Sequence, residues 1–384
     1  MGTIFEKENI KAMLGCYYFP NYHTDDARNT EFHGAGWSEW EVVKQAVPRF
    51  EGHIQPRIPV WGYTDEKDPA VMAQKIDAAA DAGIDVFIFD WYYYNDGPFL
   101  NRCLEEGFFN APNRSRIKFC TMWANHDWVD IHPAVLKNYP LLYPGLVTPE
   151  TFRKICKLHI EDYFRRPEYF CLGGKPYFSI YELAKFVAIF GSVAAAKQAL
   201  EQFRQDCIAA GLPGVHLNAI VWGKPIVPGE ETPSDPGDLA KELGFDSSAS
   251  YVWAHHSWLP GPTADYLPFR DGYFKFWNEF TANHPGLEYY PNVTVGWDST
   301  YRTRADQPWT GCDGYPFGPC MINNTPERFK QALKDVKEQL EASSQKTKFM
   351  TINSWNEWTE GSYLEPDNVN GTGFLDAVRE IFRK

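Results

Sequence analysis

A chain of 384 residues with 44% hydrophobic and 23% charged content has the make-up of a folded globular protein, either one large domain or two ordinary ones. Its formal net charge of −13 and its lack of any Lys/Arg run exclude a nucleic-acid footprint and favour a neutral partner. No apolar run reaches the roughly 20 residues of a membrane-spanning helix, and no Cys-x-x-Cys supports a zinc or thioredoxin reading of the eight cysteines.

The opening residues do not read as a signal peptide. A cleaved leader replaced by Met-Gly would look the same, so the compartment stays open between the cytoplasm and a secreted or periplasmic location. The first predicted strand, residues 14–22, carries Tyr17, Tyr18 and Tyr22 and runs into His23. A long loop over 21–59 follows, then a predicted helix over 69–82, opened by Asp68-Pro69 and closed by Gly83. The second strand, 84–92, ends in Asp90-Trp91-Tyr92. The third, 117–124, ends in Trp123-Ala124-Asn125-His126-Asp127 and leads into a loop over 125–148.

Thr148-Pro149-Glu150 starts a helix over 149–164, and strand four, 176–181, stops at Tyr181-Glu182. A helix over 193–210 precedes strand five, 215–222, which ends at Trp222. Strand six, 248–253, ends in Trp253-Ala254-His255-His256 and is followed by a helix over 265–282. Strand seven, 293–298, closes with Trp297-Asp298. The loop over 298–325 contains Cys312 and Cys320, which are placed so that they could pair in an oxidising compartment. Thr325-Pro326-Glu327 opens a helix over 326–342, strand eight spans 348–355, and a last helix covers 372–383.

Eight strands alternating with helices predict a single (β/α)8 barrel over residues 1–384, with extended loops at its C-terminal face. The rival, a doubly wound open sheet, usually splits into two lobes at this size, and no linker, composition break or repeat marks such a split. Polar and aromatic residues crowd the predicted carboxyl ends of the strands, where barrel enzymes keep their chemistry.

The densest cluster is Asn353-Ser354-Trp355-Asn356-Glu357-Trp358-Thr359-Glu360-Gly361. Period-two alternation puts Thr351, Asn353, Trp355 and Glu357 on one face of strand eight, with Ile352 and Ser354 toward the helices. Two carboxylates flanking a scissile bond are the machinery of glycoside hydrolysis, so Glu357 and Glu360 are the candidate pair. Aromatic rings at the strand ends suit stacking on sugar faces. Asp90 and Asp298 are open between two roles: binding sugar or tuning the glutamates, and holding loops or pairing with an arginine such as Arg302. No His-Glu-x-x-His and no Gly-x-Ser-x-Gly occurs, so neither a metal nor a serine triad is expected. No cofactor is implied.

The chain resembles the WbsX-like family, which is related to glycoside hydrolase family 99, the endo-α-mannosidases and endomannanases. Nearly the whole chain carries the match. It runs through Tyr18-Phe19-Pro20-Asn21-Tyr22-His23, Gly36-Trp37-Ser38-Glu39-Trp40, Gly52-His53-Ile54-Gln55-Pro56, Gly83-Ile84-Asp85 with Asp90-Trp91-Tyr92, and Trp123-Ala124-Asn125. Gly174-Lys175-Pro176 before Tyr181, Gly296-Trp297-Asp298, the nine-residue cluster, and Leu364-Glu365-Pro366-Asp367 complete it.

The resemblance implies a barrel acting on glycosidic bonds. Glu360 would be the general acid/base, and Glu357 would assist at the sugar 2-hydroxyl in a retaining mechanism through a 1,2-anhydro sugar. It extends to an α-glycosidase of open endo or exo action on a polysaccharide or glycan. By the resemblance Tyr17 or Tyr18 and the His and Trp residues at the other strand ends would bind substrate; with the remaining strand-end residues, the candidate binding set is Tyr17, Tyr18, Tyr22, His23, Asp90, Trp91, Trp123, Asn125, His126, Tyr181, Trp222, Trp253, His255, Trp297, Asp298, Asn353, Trp355 and Asn356. Relatives often read Trp-Ala-Asn-Glu-Asn-Trp where this chain has His126-Asp127, so mannan specificity does not carry over. A glycosyltransferase of polysaccharide biosynthesis and an inactive carbohydrate-binding barrel are the alternatives. No Asp-x-Asp and no Gly-x-Gly-x-x-Gly supports the first, and both glutamates argue against the second.

Overall fold

The computed structural model describes residues 11–383 apart from Trp258. The opening residues, read above for a signal sequence, lie outside that range. Eight parallel strands form the centre: β1 (Met13–Tyr18), β2 (Val86–Tyr94), β3 (Lys118–Trp123), β4 (Lys175–Ile180), β5 (His216–Ile220), β6 (Ser247–Ala249), β7 (Glu288–Tyr290 with Asn292–Thr294) and β8 (Phe349–Asn353).

Each strand pairs with the next in sequence, and β8 returns to β1 with Met13 opposite Phe349. The ring closes through β7, whose first half pairs with β6 (Glu288 opposite Ser247) and whose second half pairs with β8 (Thr294 opposite Asn353). Pro291 separates the halves because it has no N–H to continue a ladder, while its carbonyl still accepts from Thr351 N at 2.9 Å. The fold is the expected (β/α)8 barrel.

The outer layer contains α1 (Pro69–Ala82), α2 (Pro149–Leu158), α3 (Val193–Ala209), α4 (Pro236–Leu243), α5 (Tyr266–Asn283), α6 (Pro326–Ala342) and α7 (Gly373–Phe382). Four of these open with a capping Asp or Thr followed by proline: Asp68, Thr148, Asp235 and Thr325 accept from the backbone N–H of Ala70, Thr151, Asp238 and Arg328. The side-chain oxygen satisfies an orphan donor, and proline occupies a position that needs none. The helix α4 carries this start signal at Asp235-Pro236 but was not anticipated, because it is only eight residues long. Between β2 and β3 stands a single π-helical turn, Cys103–Phe108.

Several expected strands end early: β1 stops at Tyr18, β5 at Ile220 and β7 at Thr294, short of positions 22, 222 and 298. β6 stops at Ala249, and Trp253 begins a 3-10 turn with its backbone N–H bonded to Thr294 Oγ1 (2.9 Å) in place of a ladder partner. β8 stops at Asn353, where the chain turns into the mouth of the barrel. All eight cysteines are free, so Cys312 and Cys320 are not joined; the Cys320 thiol lies 3.3 Å from Asp298 Oδ1. No single helix among the described residues is long and apolar enough to cross a membrane.

Candidate active site

The carboxyl ends of the strands surround one cavity of about 620 Å³, part of it open to solvent. Asp90 comes from β2, and Glu357 and Glu360 come from the segment after β8. That segment is a tight hairpin in which Asn356–Glu357 pairs antiparallel with Ser362–Tyr363, and Trp358–Glu360 forms a 3-10 turn between them. Gly361 ends the turn at φ +61° with its Cβ position 2.7 Å from Asp298 Cβ, so a side chain is excluded by both backbone conformation and space.

Arg302, at the end of the short helix Ser299–Arg302, organises the carboxylates. Its Nη2 donates to Glu357 Oε1 (2.9 Å) and Glu39 Oε1 (3.2 Å), and its Nη1 to Glu360 Oε1 (3.3 Å). Its Nε donates to Thr359 Oγ1 at 3.0 Å. Tyr315 OH, which also touches Arg302 Nη1, donates to Glu360 Oε1 at 2.6 Å. On the far side of Glu357, the Tyr251 hydroxyl stands 2.8 Å from Glu357 Oε2 and 2.8 Å from Asp90 Oδ2.

Three buried carboxyls, Glu39, Glu357 and Glu360, thus surround one guanidinium, with buried Asp90 on the far side of Tyr251. Burial pushes Glu357 well above the usual carboxylate range, and the neighbouring Glu360 charge adds to it. Glu360 is also raised by burial, with Arg302 and the Tyr315 hydrogen bond opposing. Asp90 is driven up by burial, opposed only in part by Tyr251. Burial thus favours the protonated form of all three acids, the direction that general acid chemistry requires.

The hairpin rests on a second charged cluster. Asn356 accepts from Phe19 N (2.8 Å) and donates to Phe19 O (2.7 Å) and Glu66 Oε1 (2.9 Å). Lys75 of α1 bridges Glu66 Oε1 (2.5 Å) and Glu365 Oε1 (2.7 Å), and Glu365 Oε2 accepts from Trp358 Nε1 (2.8 Å). These contacts fix the residues on either side of Glu357.

Of the residues singled out in the sequence, the cavity gathers Asp90, His126, Tyr181, His255, Trp297, Glu357 and Glu360. The others lie behind the wall. Tyr17 donates to Ser250 O, Tyr18 donates to Glu66, and Tyr22 packs on Trp40. His23 turns to Thr24 O, while Asn125 bonds the backbone N–H and carbonyl of Glu182.

The tryptophans divide by strand phase. Trp91 packs outward on His159, Trp123 stacks on Phe152, and Trp253 donates to Asn292 O, so these three fill the core. Trp222 stacks on His255 behind the wall. Trp355 packs on Phe87 and Trp61, which corrects the alternation drawn through strand eight: β8 ends at Asn353, so its phase does not reach Trp355. The Asn353 side chain is buried, and its amide has no protein partner.

Asp298 takes the structural role. It accepts from His53 Nε2 (2.8 Å), Gln55 Nε2 (2.6 Å) and Thr300 N (3.0 Å), and it does not pair with Arg302. These bonds outweigh burial and hold its carboxyl well below the usual range. Arg302, Tyr251, Tyr315 and Glu39 were not placed in the site from sequence. Glu39 had a usable signal, an acid inside Gly-Trp-Ser-Glu-Trp that is fully buried. Tyr251 reads as strand interior, and Tyr315 sits in a featureless loop.

On the rim, Tyr181 OH lies 2.7 Å from Glu230 Oε1 and 3.1 Å from His255 Nε2. Behind it, burial pushes Glu182 up to about 8, opposed by Lys185 at 3.6 Å. An acid raised in the folded state contributes its full stability below its unfolded pKa of about 4.3 and loses it as pH rises through its folded value. Glu182→Gln is therefore expected to flatten the fall in stability between about pH 5 and pH 8 and to gain on the order of 2–4 kcal/mol over wild type at the upper end. Urea unfolding at both pH values checks this; parallel slopes for the two proteins would contradict it.

The sequence model of the family described as Glycosyltransferase WbsX matches residues 14–378. The "Uncharacterized protein WxcX" of Xanthomonas campestris pv. campestris is 27% identical over 392 residues, covering 100% of this chain and 51% of its own length. The chain thus spans about half the length of the curated relatives it matches. Among solved structures, a family 99 endo-α-mannosidase from Bacteroides thetaiotaomicron superposes with a TM-score of 0.57 at 15% identity, covering 96% of this chain and 95% of that one. A "Glycoside hydrolase-like protein" superposes with a TM-score of 0.62 at 15% identity, covering 100% and 97%. At these identities the structural likeness is one of fold.

Proposed function

The chain belongs to the family described as Glycosyltransferase WbsX, and from that premise we propose that it hydrolyses a glycosidic bond in a polysaccharide or glycan. One observation carries the reading: two buried carboxyls, Glu357 and Glu360, share the Arg302 guanidinium at 2.9 and 3.3 Å on the floor of the cavity at the strand ends. Arg302 is already committed to three carboxylates, which supports a neutral sugar over a uronate.

In the proposed course, Glu357 takes the proton of the sugar 2-hydroxyl as O2 attacks C1, and Glu360 gives its proton to the departing glycosidic oxygen. The product is a 1,2-anhydro sugar. Glu360, now a carboxylate, takes a proton from water as that water attacks C1; the C1–O2 bond breaks and Glu357 returns its proton to O2. Two inversions give net retention. Proton NMR of the first product is expected to show the substrate's own anomer, and a 2-deoxy analogue, lacking the attacking oxygen, is expected to remain uncleaved. An inverted product or cleavage of the 2-deoxy analogue would contradict this course.

A second cavity, lined in part by Tyr315, Leu259 and Lys224, shares Trp297 and Ile226 with the first. Continuity across Trp297 supports a chain-like substrate occupying both cavities, and thus endo action. Trp297→Ala is expected to raise KM about two- to tenfold for an oligosaccharide spanning both, consistent with about 0.5–1.5 kcal/mol for a lost aromatic contact, with a smaller effect on a short substrate. Equal effects on both would argue against the shared groove.

Transfer from a nucleotide sugar is the second reading, favoured by the family's description. A diphosphate leaving group would have to approach three carboxyls around a committed arginine, with Asp90 close by, which is electrostatically unfavourable.

A further inference from the structure

The Tyr251 hydroxyl lies 2.8 Å from Asp90 Oδ2 and 2.8 Å from Glu357 Oε2. A phenol has one proton, so it donates to one of these oxygens and must accept from the other. Two ionised carboxylates would leave one of these short contacts as a repulsion between acceptors; one carboxyl therefore carries a proton. The surroundings decide which. Glu357 receives Arg302 Nη2 at 2.9 Å on its other oxygen. Asp90 takes part in no ion pair among the described residues, and its Oδ1 is buried without a hydrogen-bond partner.

The titratable groups facing Asp90 are Cys16 and Tyr17 of β1, Tyr92 of its own strand, Tyr251, and the acids Glu357 and Glu360, none of them a cation. The guanidinium favours charge on Glu357, and nothing favours it on Asp90.

We infer that Asp90 is held as the neutral acid at neutral pH, donating to Tyr251, which in turn aims its hydroxyl proton at Glu357 and fixes Glu357 as the ionised member of the pair. Asp90 and Tyr251 are then positioning residues. They keep Glu357 ready to accept the 2-hydroxyl proton and leave Glu360 to carry the acid proton. This catalytic consequence rests on the roles proposed above; the proton count does not.

The experiment has two arms so that the two ideas can fail separately. The first needs no substrate: infrared difference spectra of protein carrying isotope-labelled aspartate, at neutral pH, for wild type, Asp90→Asn, Tyr251→Phe and Glu357→Gln. The expected result is a protonated-carboxyl band that shifts with the aspartate label, vanishes in Asp90→Asn, moves to higher frequency in Tyr251→Phe as its acceptor is lost, and survives in Glu357→Gln. A band insensitive to the label and lost only in Glu357→Gln, or no such band in wild type, would overturn the inference. Tyr251→Phe keeps this arm decisive should Asp90→Asn not fold.

The second arm uses the responding glycan. Tyr251→Phe and Asp90→Ala are expected to lower kcat at least about a hundredfold with KM within about threefold, while Asp90→Asn, which preserves a neutral donor, loses less than about tenfold. Removing the donor to ionised Glu357 makes it easier to protonate, so the acid limb of the Tyr251→Phe pH profile is expected to move up by about one unit. An unmoved limb, or Asp90→Asn as damaging as Asp90→Ala, would overturn the positioning role. Absence of any hydrolysis would count against the proposed function and leave the infrared result to decide the proton's place.

Discussion

Replacing Glu360 by Gln is expected to lower kcat on a responding glycan by at least about a thousandfold, within the range of a lost general acid, with binding of the intact glycan nearly unchanged. Glutamine keeps the size of the side chain and can still accept from Tyr315 OH, now 2.6 Å from Glu360 Oε1, so the site's shape is retained. What it cannot do is hand a proton to the leaving oxygen. A substrate with an acidic aryl leaving group needs no such help, and its first step should recover most of the loss. A uniform loss on both substrates would place Glu360 elsewhere in the reaction. Isothermal titration of the variant with uncleaved glycan separates turnover from binding.

Lys75→Met is expected to destabilise the fold by about 3–5 kcal/mol, the range for removing one partner of a buried ion pair, and to lower Tm by roughly 4–6 °C in a chain of this size. Lys75 and Glu66 are almost wholly buried, and Glu365 is 4% exposed. Lys75 Nζ is 2.5 and 2.7 Å from the two carboxylates. Without it they face one another with only neutral donors left: Tyr18, Asn356 and the Cys103 thiol on Glu66, and Trp358 on Glu365. Since Asn356 and Trp358 flank Glu357, activity should fall together with stability. The triple change Lys75→Met, Glu66→Gln and Glu365→Gln removes the unpaired charges and should regain part of the loss. A single variant that stays within about 1 kcal/mol of wild type would mean that water reaches the cluster.

The barrel was legible because its signals are local. Apolar runs that end in aromatic and acidic residues, and helices opened by Asp-Pro or Thr-Pro, survive folding almost unchanged, as the caps at Asp68, Thr148 and Thr325 show. The place of the two glutamates at the barrel mouth was legible because they directly follow an apolar strand; the hairpin that carries them, Asn356–Glu357 against Ser362–Tyr363, was not.

What failed was inference of side-chain direction beyond the ends of strands. Trp355 was assigned inward by continuing a period of two past Asn353, where the strand stops. Trp91 and Trp123 belong to the outward phase and fill the space under α2 and the π-helical turn that continues it, His159–Tyr163. The residues that set the site's charge come from far along the chain. Arg302 meets Glu39 across 263 positions, and Tyr251 meets Asp90 across 161. No local pattern encodes such pairs: in the sequence Arg302 reads only as a partner for Asp298, which in the structure bonds His53 and Gln55 instead.

The most direct test of the account is release of reducing sugar from a panel of α-linked bacterial polysaccharides and glycans. Wild type is compared with the Glu357→Gln/Glu360→Gln double variant, with no nucleotide sugar present. The account predicts release from at least one substrate by wild type and none by the double variant. Equal release by both proteins, or product formed by wild type only when a nucleotide-sugar donor is added, would contradict it.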